Sequence, residues 1–434
     1  MSRSWENPKL PFFGSLPQGW KVCRVEHVAT HRPSRVSPDS ISEESVSLYS
    51  IPSLQETGEP EQASPDSIGS DKISLAGGEI LISRLNPRKG LVVQTPRVND
   101  GRLLASSEFV PLDPREIDAR YLYFVLASNA FTRLLASAVQ SATRSHQRVR
   151  PSEVLKAEIP IPQKSEQKAI ADFLDRETDH IDSLIEKKGR LISLLEEKRS
   201  ALVTRAVTTG LDPDVRMKNL GIEWMGEIPE HWEAVQIRRV CQVESGHTPT
   251  RSEPEYWQDG GIPWVSLADT SRLREAEFVS QTEHQISEAG LTHSSARMLP
   301  SGSVLFTRDA SVGLAAIAGT ELTVSQHLIA WVCGPLVSPR YLLRVVRSMT
   351  QELARLTEGA TLRTIGMDDV RSLTMPLPPI DEQRVIVSHV TRHCEEIDKI
   401  LKATERSISL LKERRSALIT AAVTGQIDVS EYAA

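Results

Sequence analysis

Two stretches of the chain carry arginine without a compensating acid. Ala119–Ser152 holds Arg120, Arg133, Arg144, Arg148 and Arg150, and Leu322–Gln351 holds Arg340, Arg344 and Arg347, with no Asp or Glu in either. On a chain of net charge −6, such windows suit a local basic face that grips phosphates while the remainder meets another partner. A solvated helix face is the plainer reading of each. Two further arginines stand at matching places. Glu79-Ile80-Leu81-Ile82-Ser83 leads to Arg84, and Ser303-Val304-Leu305-Phe306-Thr307 leads to Arg308, each β-type run following a glycine turn.

Residue patterns that make or break bonds are missing. The phosphate loop GxxxxGK[ST] is absent, which argues against ATP hydrolysis. Asp381-Glu382-Gln383-Arg384 and its twin Ser165-Glu166-Gln167-Lys168 read as acid and capping groups at helix starts. There is no GxGxxG after a strand, and Asn7-Pro8-Lys9 and Asn86-Pro87-Arg88 lack the second proline and aromatic of base-flipping methylases. The eleven histidines show no zinc-ligand spacing, and His231, before Trp232, reads as a packed or solvated ring. Asp66 and Lys72 fit a nuclease pattern only loosely. Cys23, Cys241, Cys333 and Cys394 are scattered and read as buried thiols. The expectation is a chain without catalysis, metal or cofactor.

The elements that must place these arginines come in duplicate. Residues 193–208 return as 409–424, with 12 of 16 positions identical at an offset of 216. Ile159-Pro160-Ile161-Pro162 matches Met375-Pro376-Leu377-Pro378, and Leu16-Pro17…Trp20 matches Ile228-Pro229…Trp232. A period above 200 residues far exceeds the roughly 20–50 of solenoid units, so two domain-sized halves with pseudo-twofold symmetry are expected. Each half reads as a loop-rich α+β globular region (15–163, 227–379) followed by a long helix (164–210, 380–426), with a polar linker at 211–226. Leu174, Ile181, Leu195 and Leu202 fall on one heptad seam with Leu184 beside it, and Val390, Ile397, Leu411 and Leu418 form another. Leu191, Ile386 and Ile400 flank these seams, and Lys188 and Thr404 interrupt them at the same register. Such seams predict two long antiparallel coiled-coil helices between two small globular domains. No run approaches the roughly 20 apolar residues of a membrane span, and the first residues lack a signal peptide's apolar stretch, so a cytoplasmic protein without membrane contact is expected.

Leu377-Pro378-Pro379-Ile380-Asp381-Glu382-Gln383, leading into a long helix, and Gly221–Trp232 (GIEWMGEIPEHW) resemble the specificity subunit of type I restriction–modification enzymes. Ser245-Gly246-His247-Thr248-Pro249, Gly302–Arg308 and Thr361–Ile365 fit the same pattern. The likeness covers residues 15–426. It implies that the globular regions are target-recognition domains and the helices conserved spacers. It also implies partnership with two modification (methyltransferase) subunits, two restriction (translocase and nuclease) subunits and double-stranded DNA bearing an asymmetric bipartite site. On that reading the DNA-binding candidates are Arg84, Asn86, Arg88, Lys89, Arg144, Gln147 and Arg148 in the first domain. In the second they are His247, Thr248, Arg251, Arg308 and Arg363. A tandem coiled-coil adaptor binding only proteins is the rival, and a chain that itself methylates or cuts DNA stands third.

Overall fold

A computed structural model describes residues 9–97, 102–139, 147–258, 260–357 and 363–429. The chain divides into two compact units, Met1–Gly189 with Glu405–Ala434, and Arg190–Thr404. The first unit therefore closes with residues from the far end of the chain. Among the described residues, no helix is long and apolar enough to cross a membrane.

In the first unit, the strand Ile80–Ser83 is buried throughout. Ile80 and Ile82 point into the main core with Val110, Leu112 and Phe131, whereas Leu81 joins Leu103, Ala105 and Phe109 on the other face. A strand covered on both faces needs an unbroken apolar run, which is why its alternation is absent. It lies inside a four-stranded antiparallel sheet ordered Val92–Gln94, Ile80–Ser83, Phe109–Pro114, Ala29–Thr30. A second, five-stranded sheet carries Leu103–Ser106 at its centre. The second unit repeats the first arrangement. Val304–Thr307 is buried throughout, with Val304 and Phe306 in one core cluster and Leu305 in another. It pairs with Ala315–Ala318 on one side and Leu328–Cys333 on the other, and the latter pairs with Cys241–Ser245. The fold class is thus α+β, built twice.

Each globular part ends in a two-stranded pair, Lys21–Arg24 with Glu158–Ile161 and Glu233–Gln236 with Thr374–Leu377, whose second strand runs into a long helix. These helices span Lys164–Thr209 and Ile380–Val423. The glutamine of each helix-start motif is buried and braced. Gln167 Nε2 donates to the Pro162 carbonyl and its Oε1 accepts from the Asp118 amide. Gln383 Nε2 donates to the Pro378 and Leu336 carbonyls, and its Oε1 accepts from the Ser338 amide. Asp118 and Ser338 are the N-cap residues of the helices Ala119–Ala127 and Pro339–Ser348. The neighbouring glutamates reach sideways, Glu166 accepting from Trp20 Nε1 at 2.9 Å and Glu382 lying 2.9 Å from His231 Nε2. The helix-start acids are therefore ties to the globular part rather than caps alone.

The first unit contains residues 164–189 and 405–423 of the two long helices, and the second contains 190–209 and 380–404. Within each unit the segments run antiparallel. In the first, Asp182 meets Arg415 at 2.9 Å, while Ile170, Ala171 and Leu174 share a core with Ile419, Ala422 and Val423. In the second, Asp398 meets Arg199 at 3.2 Å, while Ala206 and Val207 share a core with Ile386, Val387 and Val390. Asp182 and Asp398, and Arg199 and Arg415, are repeat equivalents at the offset of 216, so one ion pair is made twice with roles exchanged.

The seam differs from a uniform zipper. Leu174, Ile181, Val390 and Ile397 are buried, but Leu184, Leu195, Leu202, Leu411 and Leu418 are only half-buried. Small residues such as Ala206 and Ala422 let the helix ends approach a bulky globular core instead. Leu191 (40% exposed) and Ile400 (47%) face outward and do not flank the seam. Thr404 is buried, and its hydroxyl donates to the Ile400 carbonyl of its own helix.

Both helices stop at a left-handed glycine, Gly210 (φ +74°) and Gly425 (φ +69°). A Cβ at Gly425 would lie 2.2 Å from Pro17 Cγ and 3.4 Å from Trp20. Gly189 sits mid-helix, and a Cβ there would meet nothing within 4 Å. Gly425→Ala is expected to destabilise the protein by about 1–3 kcal/mol and Gly189→Ala to stabilise it by about 0.5–1 kcal/mol. Denaturant unfolding midpoints of the two variants should shift in opposite directions.

Candidate nucleic-acid interface

At the end of the buried strand in each unit, the chain turns through a hydrogen-bonded node that has the same backbone connections twice. In the first unit, Arg84 N donates to Glu108 O, Val149 N to Arg84 O and Asn86 N to Gln147 O, with Leu85 bridging Arg148. In the second, Arg308 N donates to His327 O, Ile365 N to Arg308 O and Ala310 N to Arg363 O, with Asp309 bridging Thr364. Asn86 (φ +49°) and Ala310 (φ +61°) both adopt the left-handed conformation. That conformation is strained for alanine, and the three flanking hydrogen bonds hold it. The arginine at the root is common to both, whereas the side chains around it differ. Leu85, Asn86, Glu108, Gln147 and Arg148 correspond in place to Asp309, Ala310, His327, Arg363 and Thr364.

The first node gathers Arg84, Asn86, Gln147 and Arg148 around Glu108. Arg148 donates through Nε and Nη2 to both Glu108 oxygens at 3.0–3.2 Å. Arg84 Nε lies 3.3 Å from Glu108 Oε2 without hydrogen-bond geometry. Asn86 Oδ1 is buried with no partner. Arg88 is exposed on the short turn Pro87–Lys89, and Lys89 Nζ donates to Gln55 Oε1 at 3.1 Å. Arg144 lies outside the described residues.

The second node is a chain of polar contacts. Thr248 Oγ1 donates to Gln326 Oε1, Gln326 Nε2 approaches His327 Nε2 at 3.3 Å, and His327 Nδ1 donates to Asp309 Oδ2 at 2.9 Å. Thr364 Oγ1 donates to Asp309 Oδ1, and Arg308 Nε stands 3.6 Å from that oxygen. His247 is exposed, and its carbonyl accepts from Trp264 Nε1. At Gly246 a Cβ would come within 2.1 Å of the Val324 carbonyl oxygen, so only glycine fits before His247. Arg363 is exposed and joins the node through its carbonyl, and Arg251 is exposed on a turn.

The acid-free windows fare differently. Arg344 is buried and pairs with Glu277 at 2.7 Å, as Arg340 does at 2.8 Å. Arg347 donates to the carbonyls of Leu273, Ala276 and Ala315. Burial, with Arg344 and Arg199 nearby, pulls Arg347 down to about 10, so it stays charged at neutral pH. This window is a structural brace and not a basic face, because its acids come from elsewhere in the fold. In the first window, Arg120 is held by Asp118, Asp172 and Asp175, and Arg133 lies over Phe12.

Glu108, Asp309, Gln326 and His327 escaped the sequence reading, since nothing local marks an acid that orients arginine across a sheet. Hydrogen bonding to Glu108 raises Arg148 above its usual range. Burial alone would lift Asp309, but hydrogen bonds from Thr364 and His327 and the charge of Arg308 hold its carboxyl below the ordinary value. Among the described residues, no group of three or more His, Cys, Asp or Glu could hold a metal ion.

Comparison with known proteins gives this arrangement relatives. Residues 19–193 and 229–410 match the type I restriction modification DNA specificity domain. The chain is 28% identical over 183 residues to the type I restriction enzyme MjaIX specificity subunit of Methanocaldococcus jannaschii, spanning 42% of each, less than half of that relative. The "Putative type I restriction enzyme MjaX specificity subunit" of the same organism aligns over 98% of this chain and 97% of its own length at 22% identity. The EcoR124I/EcoR124II specificity subunit of Escherichia coli is 25% identical over 39% of this chain and 42% of its own. Two solved structures share the fold. One chain, from work on complex assembly and conformational transition of the type I R-M system, superposes with a TM-score of 0.73 at 18% identity, covering 95% of this chain and all of that one. The HsdS subunit from Thermoanaerobacter tengcongensis gives 0.53 at 19% identity over 95% and 98%.

The second node carries a pH signature with a definite sign. Asp309 has a depressed folded-state pKa, so its stabilisation is fully present above the unfolded carboxylate value of about 3.9 and is lost as pH falls through the folded value. Wild type should therefore lose its stability advantage over Asp309→Asn as pH drops below about 4, measured by unfolding midpoints between neutral and acid pH. An unchanged advantage across that range refutes the assignment.

Proposed function

This chain belongs to the type I restriction modification DNA specificity family, and we propose that it is the specificity subunit of a type I restriction–modification complex. The regions 15–163 and 227–379 act as target-recognition domains, each meeting one half of an asymmetric bipartite site in double-stranded DNA. The observation that carries this reading is the duplicated node. One backbone frame presents two dissimilar sets of side chains, as expected of two readers shaped alike and addressed to different sequences.

Arg84, Asn86, Arg88, Lys89, Arg144, Gln147 and Arg148 would meet one half-site, and His247, Thr248, Arg251, Arg308 and Arg363 the other. Arginine, asparagine, glutamine and threonine among them suit base edges in the major groove, and arginine and lysine also suit phosphates. The net charge of −6 is compatible with DNA binding because binding depends on the local charge distribution, and in the first node two arginines share the single carboxylate of Glu108. The charged outer faces of the long helices are the proposed docking surface for two modification subunits, with two restriction subunits completing the complex. The chain itself performs no chemistry in this scheme. The absence of any catalytic pattern in the sequence supports that view, and the adaptor that binds only proteins is disfavoured by the family match.

Co-expression with its modification subunit, followed by single-molecule sequencing of host DNA, should reveal methylation at one asymmetric motif with two defined halves around a fixed gap. The isolated chain should transfer no methyl group to DNA. A modification complex that forms but methylates no bipartite motif refutes the proposal.

A further inference from the structure

Resting on the recognition role above, we propose that Arg148 reads a guanine in the half-site met by the first unit, with Glu108 as the positioning residue that aims it. A guanidinium has two donor edges, Nε with Nη2 and Nη1 with Nη2, each offering a pair of parallel N–H bonds. Glu108 occupies the first, accepting from Nε at 3.0 and 3.2 Å and from Nη2 at 3.0 Å. The second edge keeps Nη1 outside these bonds, on a side chain that is 46% exposed. Two donors held in one plane match the O6 and N7 acceptors that guanine alone presents together in the major groove.

Orientation is fixed at both ends of the side chain. The backbone of Arg148 bridges Leu85, and the carboxylate holds the guanidinium, so the side-chain entropy normally lost on binding is largely removed beforehand. Arg84 shares the same carboxylate at 3.3 Å, giving the trio a net positive charge suited to DNA. Arg88 stands exposed on the adjoining turn, where it can hold a phosphate.

The second unit carries no such arginine edge at the matching corner. Thr364 takes the place of Arg148 and spends its hydroxyl on Asp309, while His327 takes the place of Glu108. The same frame therefore presents different side chains at this corner, and the guanine contact made through Arg148 belongs to the half-site met by the first unit.

The full chain, co-expressed with its modification subunit, tests this through Arg148→Lys and Glu108→Gln. Lysine keeps the charge but not the paired edge, and glutamine keeps the size but not the clamp. Both side chains are at least partly exposed, and neither change touches the backbone bridge, so unfolding midpoints should stay near wild type. Wild type should methylate a bipartite motif with a G·C pair in one half. At that pair Arg148→Lys should lose about ten- to hundred-fold of discrimination. Glu108→Gln should lose less, and the other half and the gap should stay unchanged in both variants. A motif unchanged in Arg148→Lys but methylated more slowly would mark a phosphate contact and overturn the proposal. Unchanged motif and rate would mark a surface ion pair and overturn it too. Relaxation in Arg148→Lys but not in Glu108→Gln would overturn the positioning role. If wild type yields no bipartite motif, the recognition role itself fails, and that outcome is distinct from all of these.

Discussion

The arrangement rests on one buried amide in each unit. Gln167 and Gln383 satisfy, each with a single side chain, the carbonyl of the proline that follows a strand and the amide of the N-cap residue of a globular helix. Both glutamines are almost completely inaccessible, at 2% and 0% exposure, so the two ends of each side-chain amide would be left unpaired without these partners. An orphaned buried group costs about 1–3 kcal/mol, and the brace spares two such groups at once. Because the glutamine sits in the first turn of a long helix, the same bonds that satisfy the loop also set where the helix leaves the globular part. The strand pair, the helix and the cores around Trp20 and Trp232 inherit their position from that junction.

Geometry and chemistry are separated in the nodes. The main chain at Arg84 and Arg308, and at Asn86 and Ala310 despite their left-handed conformations, is held by hydrogen bonds to other backbone groups. The side chains that project from this frame can change without moving it. In one unit, charge is concentrated on a carboxylate shared by two arginines. In the other, it is dispersed through a relay from Thr248 to Asp309. Each network is formed by residues of its own unit, which allows a duplicated scaffold to diverge in what it contacts while its folding rules stay fixed.

The duplication was legible from the sequence because it involves local, periodic features such as the SLL…SAL segments, the proline stops and the strand-to-arginine runs. The helices were equally visible, since apolar residues at heptad spacing need no tertiary information. What stayed hidden came from contacts between distant segments. The acid-free run of Arg340, Arg344 and Arg347 suggests a basic face only if Glu277, more than sixty residues earlier, is out of view. Glu108 and His327 are unremarkable turn residues just before the strands Phe109–Pro114 and Leu328–Cys333 and acquire meaning only through what lies beside them in the fold. The outward turn of Leu191 and Ile400 likewise depends on where the globular cores take over from the helix seam, which heptad counting does not reveal.

The glycine that ends the distal helix bears on how the chain is made. Trp20, near the beginning of the polypeptide, finds Gly425 against it only after some four hundred further residues have been added. At about 5–20 residues per second, the roughly 230 residues from Leu174 to Glu405 leave the first unit lacking its closing segment for about 12–46 s. The second unit, contiguous from Arg190 to Thr404, has all of its own sequence before that segment emerges. The part that begins first is thus the part completed last. Its apolar surface around Ile170, Ala171 and Leu174 must stay soluble through that interval, making the nascent first half the stage at which holding chaperones would have most to protect.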